Sequence, residues 1–312
     1  MPWPLRPLAL TALMIILLAV LALWLWTPDR DRAELERLYL AAPTDMVDVL
    51  GAPATHLHVR DSGPKDAPAV ILLHGFGASL HTWELWASGL AATHRVIRFD
   101  LPGSGLSPPD PSGDYTDVRS RQLLLALMDH LGLARASLVG HSIGGRIAWG
   151  FAAERPNRVD KLVLVAPDGF ASPGFAYGKA PEVPASFKLM RHALPMALLR
   201  LSLEPAYADP ALLTDDVAER YHDLMRAPGS RDALLARMAQ TVLTDPLPVL
   251  RRIRAPTLLL WGEQDAMIPF ANSADYLQAI PQATRVALPG VGHLPHEEAP
   301  ERSLAPVLAF LR

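Results

Sequence analysis

Gly140-His141-Ser142-Ile143-Gly144 is the stretch on which the reading of this chain turns. The apolar run Ala136 to Val139 leads into it and small apolar residues at helical spacing follow it, so the five residues fall at a strand-to-helix turn. A serine held at such a turn is forced into strained dihedrals. The positions two residues away on either side must then lack side chains, or strand and helix cannot approach each other. Gly140 and Gly144 meet that requirement. Ser142 would stand at a helix N-terminus, with the N–H of Ile143 free to meet an oxyanion formed on an attacked carbonyl. A plainer role is open to Ser142, that of helix N-cap. Because a G-x-S-x-G arises by chance in roughly one chain in ten of this length, the surroundings have to decide.

Upstream, Pro68 to Leu73 reads as a buried strand ending in His74-Gly75-Phe76-Gly77, whose glycines let backbone N–H groups approach a ligand. Phe76 N–H is the candidate second oxyanion donor. Downstream, the apolar strand Pro256 to Leu260 ends in Trp261-Gly262-Glu263-Gln264-Asp265, which makes Asp265 the candidate orienting acid, with Asp168 as the alternative position. The strand Thr284 to Leu288 is followed by Pro289-Gly290-Val291-Gly292-His293, and His293 is the candidate base in preference to His296. His74, His141 and Asp100 read as loop-shaping residues. His56 and His58 alternate along one strand, and no third metal ligand accompanies them, so both read as solvent-facing.

The chain order Ser142, Asp265, His293, with the His74-Gly75-Phe76-Gly77 loop before all three, resembles the α/β-hydrolase fold superfamily. Phe99-Asp100-Leu101-Pro102-Gly103-Ser104-Gly105 is similar to that family's D-x-P-G-x-G loop, and Gly292-His293-Leu294-Pro295 with Glu297 is similar to its histidine loop. The resemblance covers about residues 54 to 312. It implies an α/β fold, a mostly parallel central sheet flanked by helices, and a Ser142-His293-Asp265 triad that forms an acyl-enzyme, with Phe76 and Ile143 as the oxyanion hole. Neither a metal nor an organic cofactor is needed for that chemistry. A serine at the elbow departs from haloalkane dehalogenases and epoxide hydrolases, which resemble this fold but carry an aspartate there. Carbon–carbon bond hydrolases share the serine and typically follow the histidine with tryptophan, where this chain has Leu294. The first expectation is therefore a carboxylic ester hydrolase, esterase or lipase-like, acting on small-molecule or lipid acyl esters. A carbon–carbon bond hydrolase, a thioester hydrolase and a cofactor-free perhydrolase stay open, as does a membrane-tethered binding protein without turnover.

Composition agrees. With 312 residues, half of them apolar, the chain can build one large core. A formal net charge of −3 and the absence of a basic patch argue against a nucleic-acid partner. The chain has no cysteine, which excludes disulfides, thiolate catalysis and Cys-ligated zinc. Strands are expected at His94 to Phe99, Ala136 to Val139, Lys161 to Val165, Pro256 to Leu260 and Thr284 to Leu288. Helices are expected at Thr82 to Ala92, Asp117 to Leu131, Ile143 to Glu154, Phe270 to Ile280 and Arg302 to Leu311. Nearly ninety residues separate the third and fourth of these strands, far more than a crossover needs. The expected domains are thus an anchor over 1–30, the first part of the core over 31–166, a helical cap over 167–255 and the rest of the core over 256–312. Within the cap, Phe170, Phe175 and Tyr177 are the candidate substrate-binding residues.

From Pro7 to Pro28 there is no charged residue, and Leu8 to Trp26 is almost continuously apolar, with Trp3, Trp24 and Trp26 near its ends. At about 1.5 Å per residue this is long enough for a hydrocarbon core of ~30 Å, and no persuasive small-x-small cleavage site follows it. A retained single-pass membrane helix is expected, its orientation left open by the charges on its two sides. Asp31 to Leu40 then reads as a short amphipathic helix.

Overall fold

The structure is a computed structural model that describes residues 5–49, 53–171 and 176–312, with side chains in the first segment described from Leu10 onward. Its centre is one sheet of eight strands: β1 (Met46–Val49), β2 (Thr55–Ser62), β3 (Ala69–Leu73), β4 (Arg95–Phe99), β5 (Ala136–His141), β6 (Val159–Val165), β7 (Thr257–Gly262) and β8 (Ala283–Leu288). Their order is β1-β2-β4-β3-β5-β6-β7-β8. The pairs β1/β2 and β2/β4 are antiparallel, and every neighbouring pair from β4 onward is parallel.

The helices are α1 (Leu5–Leu25), α2 (Arg32–Tyr39), α3 (Glu84–Leu90), α4 (Asp117–His130), α5 (Ile143–Glu154), α6 (Ala185–Leu189), α7 (Met196–Leu203), α8 (Asp215–Met225), α9 (Ser230–Gln240), α10 (Leu247–Leu250), α11 (Asn272–Ala279), α12 (Pro295–Glu298) and α13 (Pro300–Leu311). The central strands are continuous apolar runs because both faces of the sheet are covered. Alternation along β3 sends Ile71 and Leu73 to the side packed by α4, α5 and α11, and Val70 and Leu72 to the side packed by α3 and α13. Leu162/Leu164 against Val163/Val165 on β6 divide in the same way. Each parallel strand therefore ends at the same edge of the sheet. The loops that leave that edge are the ones carrying Phe76, Ser142, Asp265 and His293.

Between β6 and β7 the chain forms five helices, α6 to α10. The apolar residues of this segment divide by face. Leu194 and Leu199 are buried against Ala78 and Tyr221, with Met190 and Met196 packed around them, whereas Phe187, Leu189, Leu198 and Leu201 point outward.

Two expectations fare differently. α1 is a 21-residue helix with exposed apolar side chains from Leu10 on, yet among the described residues no helix is long and apolar enough to cross a membrane. The fold by itself thus does not support a membrane-spanning α1. On β2, His56 is exposed and pairs with Asp48 (2.7 Å), but His58 is fully buried and binds Asp100 through Nδ1 at 2.7 Å. Reading both as solvent-facing was incorrect for His58. The antiparallel pairing of β2 with β4 brings it beneath the loop that follows β4, which no local pattern reveals.

Candidate active site

Ser142 has φ 53° and ψ −120°. Such dihedrals persist only where the surroundings over-determine them. Here the Ser142 N–H donates to Val165 O (3.1 Å), while its carbonyl accepts from Arg146 N (3.1 Å) and Asp168 N (3.0 Å). The flanking glycines are obligatory on contact grounds. A Cβ on Gly140 would lie 2.3 Å from Gly144 O, and one on Gly144 would lie 2.4 Å from Leu73 O and 2.6 Å from His74 O. The Ser142 side chain makes no capping bond to α5, so the N-cap reading falls.

The loop after β3 runs directly alongside. A Cβ built on Gly75 would sit 3.3 Å from Ser142 Cβ. His74 shapes this loop: Nδ1–H donates to Gly75 O (2.8 Å) and Nε2 accepts from Leu101 N–H (3.0 Å). Burial pushes the His74 pKa down, which suits a neutral ring that donates from one nitrogen and accepts at the other. Neither Phe76 N–H nor Ile143 N–H has an acceptor among the described residues, so both donors of the expected oxyanion hole are free.

Beyond β7, Asp265 is held by two backbone donors, Met267 N–H (2.9 Å) and Ile268 N–H (2.8 Å), both to Oδ1. Its Oδ2 accepts from His293 Nδ1–H at 2.8 Å. Asp168 turns away and forms an ion pair with Arg146, which also binds Asp117 (2.8 Å), so Asp265 and not Asp168 orients His293. The His293 backbone is fixed from both sides: its N–H donates to Ala206 O (2.7 Å), and its carbonyl accepts from His141 Nε2–H (2.8 Å). The rings of His141 and His293 lie 4.5 Å apart. His141 is therefore the link between elbow and histidine loop, being the chain neighbour of one and the donor to the other. Ser142 Oγ itself makes no hydrogen bond among the described residues. Structures without substrate often show this bond long, and it tightens as substrate binds. His296 is buried, stacks on Trp83 at 4.1 Å and binds Thr82 Oγ1 (3.0 Å), which leaves it no part beside the serine. Burial drives the pKa values of His141 and His296 well below the ordinary range. Both rings are neutral, so neither opposes a positive charge on His293.

Two carboxylates escaped the sequence reading as site residues. Glu298 braces the histidine loop, with Oε2 on Gly292 N–H (2.7 Å) and Oε1 on Ala208 N–H (3.0 Å); burial pushes its pKa up. Glu297 gathers Tyr207 OH (2.8 Å), Tyr221 OH (3.1 Å) and the Arg220 guanidinium, tying the insertion to the same loop. Burial, aided by the Glu297 charge, pushes both phenols up. Adjacent glutamates five and six residues past Gly292 were the available signal, but their partners lie some eighty or ninety residues earlier in the chain. Asp100, read as loop-shaping, accepts from Leu80 N–H (2.6 Å) and Leu106 N–H (2.9 Å) besides His58.

Of the candidate substrate residues, Phe170 meets Tyr276 edge-on at 4.9 Å and packs on the core, and Tyr177 OH accepts from Ala171 N–H (3.1 Å) while the ring stays exposed. Phe175 lies outside the described residues. A small cavity of about 20 Å³ between the oxyanion loop and the insertion is lined by Gly77, Ser79, Gly103, Tyr221, Met225 and Leu234. No group of three or more His, Asp or Glu among the described residues could hold a metal ion.

The family described as alpha/beta hydrolase fold matches residues 68–300. The chain is 34% identical over 256 residues to the dihydrolipoyllysine-residue acetyltransferase component of the acetoin cleaving system of Pseudomonas putida, covering 80% of this chain and 65% of that longer protein. It is 30% identical over 245 residues to the 2-hydroxy-6-oxo-6-phenylhexa-2,4-dienoate hydrolase of Burkholderia cepacia, covering 76% of this chain and 84% of the relative. A solved structure described as a membrane phospholipase A, a bacterial virulence factor, superposes with a TM-score of 0.71 over 98% of both chains at 22% identity, a likeness of fold alone.

Proposed function

Because this chain belongs to the α/β-hydrolase fold family, we propose that it is a serine hydrolase of carboxylic esters, anchored to a membrane by α1 and acting on apolar or lipid acyl esters. The observation that carries the reading is the His293 Nδ1 to Asp265 Oδ2 bond of 2.8 Å beside a strained Ser142 that lies against a loop with a free N–H. In this mechanism Nε2 of His293 takes the Ser142 proton, and Asp265 holds the tautomer and stabilises the imidazolium. The alkoxide adds to the acyl carbon, and the N–H groups of Phe76 and Ile143 receive the oxyanion, each worth ~2.7–4 kcal/mol of barrier. Collapse releases the alcohol with the proton from His293, and water resolves the acyl-enzyme by the reverse proton route.

The anchor reading rests on the sequence, in which no residue from Pro7 to Pro28 is charged. The side of the membrane that holds the catalytic domain is left open. The residues 167–255 act as a cap over the elbow, joined to the histidine loop through Glu297 and Glu298.

Carbon–carbon bond hydrolysis is the second reading, favoured by the 30% identity to a dienoate hydrolase and opposed by Leu294 after the histidine. The test is hydrolysis of p-nitrophenyl esters from acetyl to palmitoyl beside a 2-hydroxy-6-oxo-dienoate, with Ser142→Ala as the blank. Turnover that rises with acyl length and vanishes in Ser142→Ala is expected. Turnover of the dienoate alone would favour the second reading, and equal rates for variant and parent would remove the enzyme assignment.

A further inference from the structure

α1 does not leave the folded domain on a free tether. Trp26 stacks on His192, with ring centroids 5.4 Å apart and planes 9° apart. Thr27 donates its N–H to His192 O (2.8 Å), and its hydroxyl accepts from Leu194 N–H (3.0 Å). The buried guanidinium of Arg231 donates to Thr27 O (2.7 Å) and Met190 O (3.2 Å) and pairs with Asp29. Further along, Pro28 O accepts from Arg226 Nε–H (2.9 Å), Arg30 N–H reaches Arg226 O (2.8 Å), and Arg30 and Tyr39 both engage Asp223. The end of α1 is thereby fixed to the loop between α6 and α7 and to one end of α8.

The two helices on either side of that loop turn large apolar side chains outward. Phe187, Leu189, Leu198 and Leu201 are between 45% and 65% exposed. Leu198 and Leu201 stand one turn apart, away from the buried Leu199. Lys188, exposed and without an ion-pair partner among the described residues, lies between Phe187 and Leu189. Trp24 and Trp26 mark the adjacent end of α1, and indole rings favour the boundary between acyl chains and headgroups. These bonds join the loop between α6 and α7 to the end of α1 that carries the indoles.

We propose that the outer face of α6 and α7 is a second membrane contact, seated in the interfacial zone of an anionic bilayer at the depth where α1 ends. The inference rests on reading α1 as a membrane anchor. A lipid surface fits this face for three reasons. The patch is continuous with an uncovered apolar helix, Lys188 is cationic and able to reach a phosphate while its stem stays apolar, and the hydrogen bonds of Thr27 tie the loop between the two helices to the end of α1. The insertion that covers Ser142 would then rest on the lipid that supplies the esters.

Since the chain has no cysteine, single labels are clean. The full chain would carry Leu198→Cys, Leu201→Cys, Leu17→Cys or His130→Cys, each labelled with an environment-sensitive fluorophore and reconstituted in phosphatidylcholine/phosphatidylglycerol vesicles with doxyl-labelled lipid. His130 is exposed at the opposite end of the sheet, where α4 leads into β5. The proposal expects at least twofold quenching at positions 17, 198 and 201 and none at 130. Quenching at 17 with positions 198 and 201 behaving like 130 would overturn the surface while leaving the anchor intact. No quenching at 17 would overturn the anchor and the surface together. Shielding of 198 and 201 that depends on protein concentration and is insensitive to doxyl lipid would show a second copy on this face and overturn the proposal.

Discussion

Gly144→Ala sets helix propensity against site geometry within a single substitution. Gly144 lies in the first turn of α5, where replacing glycine by alanine ordinarily stabilises by about 1 kcal/mol. The added Cβ, however, would stand 2.4 Å from Leu73 O and 2.6 Å from His74 O, both rigid backbone atoms of the strand and loop that lead to the Phe76 donor. Elbow and loop must separate by nearly 1 Å. Overpacking of this kind costs roughly 1–3 kcal/mol, and the contact is at the severe end, so a net loss of about 2 kcal/mol remains after the propensity gain. At roughly 2.1 cal/mol/K of unfolding entropy per residue, that is a fall in Tm of about 3–4 °C for a domain of this size. Moving Phe76 N–H away from Ser142 removes one oxyanion donor and lowers kcat about 10²- to 10³-fold. Gly150→Ala is the matched control: it lies on the same helix, and its Cβ would meet only the flexible end of Arg121 at 3.1 Å. It is expected to be neutral or slightly stabilising, with full activity. Differential scanning calorimetry and p-nitrophenyl ester kinetics on the pair decide the matter. A Gly144→Ala protein as stable and as active as Gly150→Ala would refute the packing of elbow against loop.

Asp265→Asn is expected to lower kcat by about 10⁴, because the amide no longer holds the His293 tautomer, whereas Asp168→Asn should cost stability through Arg146 and spare kcat; steady-state kinetics of the two variants separate the roles. His141→Leu removes the donor to the His293 carbonyl; kcat should drop at least tenfold with the pH profile displaced, while His141→Gln, which can still donate, recovers part of it. Acid should destabilise the fold in two windows measurable by urea titration. His81, pushed down to about 4 by burial, stays neutral in the folded state while the unfolded imidazole takes a proton, so stability present above about pH 6.5 is lost as pH falls towards 4, by roughly 3 kcal/mol. Asp100, which burial raises but the His58 charge and hydrogen bond hold down at about 2, gives stability present above about pH 4 and lost as pH falls through 2. A stability curve flat between pH 7 and 4 would contradict the buried neutral histidines.

Much of the site is legible in the sequence because its requirements are local. The glycines at 140 and 144 answer to contacts within five residues and the facing strand, and α5 begins and ends at Ile143 and Glu154 as its pattern indicates. The choice of Asp265 over Asp168 is not local. It depends on Arg146, one turn into α5, capturing Asp168. His58 looks exposed by alternation, and only the return of the Asp100 loop over β2 buries it. Glu297 and Glu298 look like an ordinary charged first turn until the insertion delivers Tyr207, Ala208 and Tyr221 to them. The clamp on Thr27 is likewise invisible, because its partners sit more than 160 residues away in the chain.

Covalent capture by an alkyl fluorophosphonate, followed by peptide mass spectrometry, tests the nucleophile without assuming a substrate. One phosphonyl group on Ser142 is expected, absent in Ser142→Ala and formed far more slowly in His293→Gln. Unmodified protein, or modification of another serine at an equal rate in the Ser142→Ala variant, would contradict the assignment of Ser142 as an activated nucleophile.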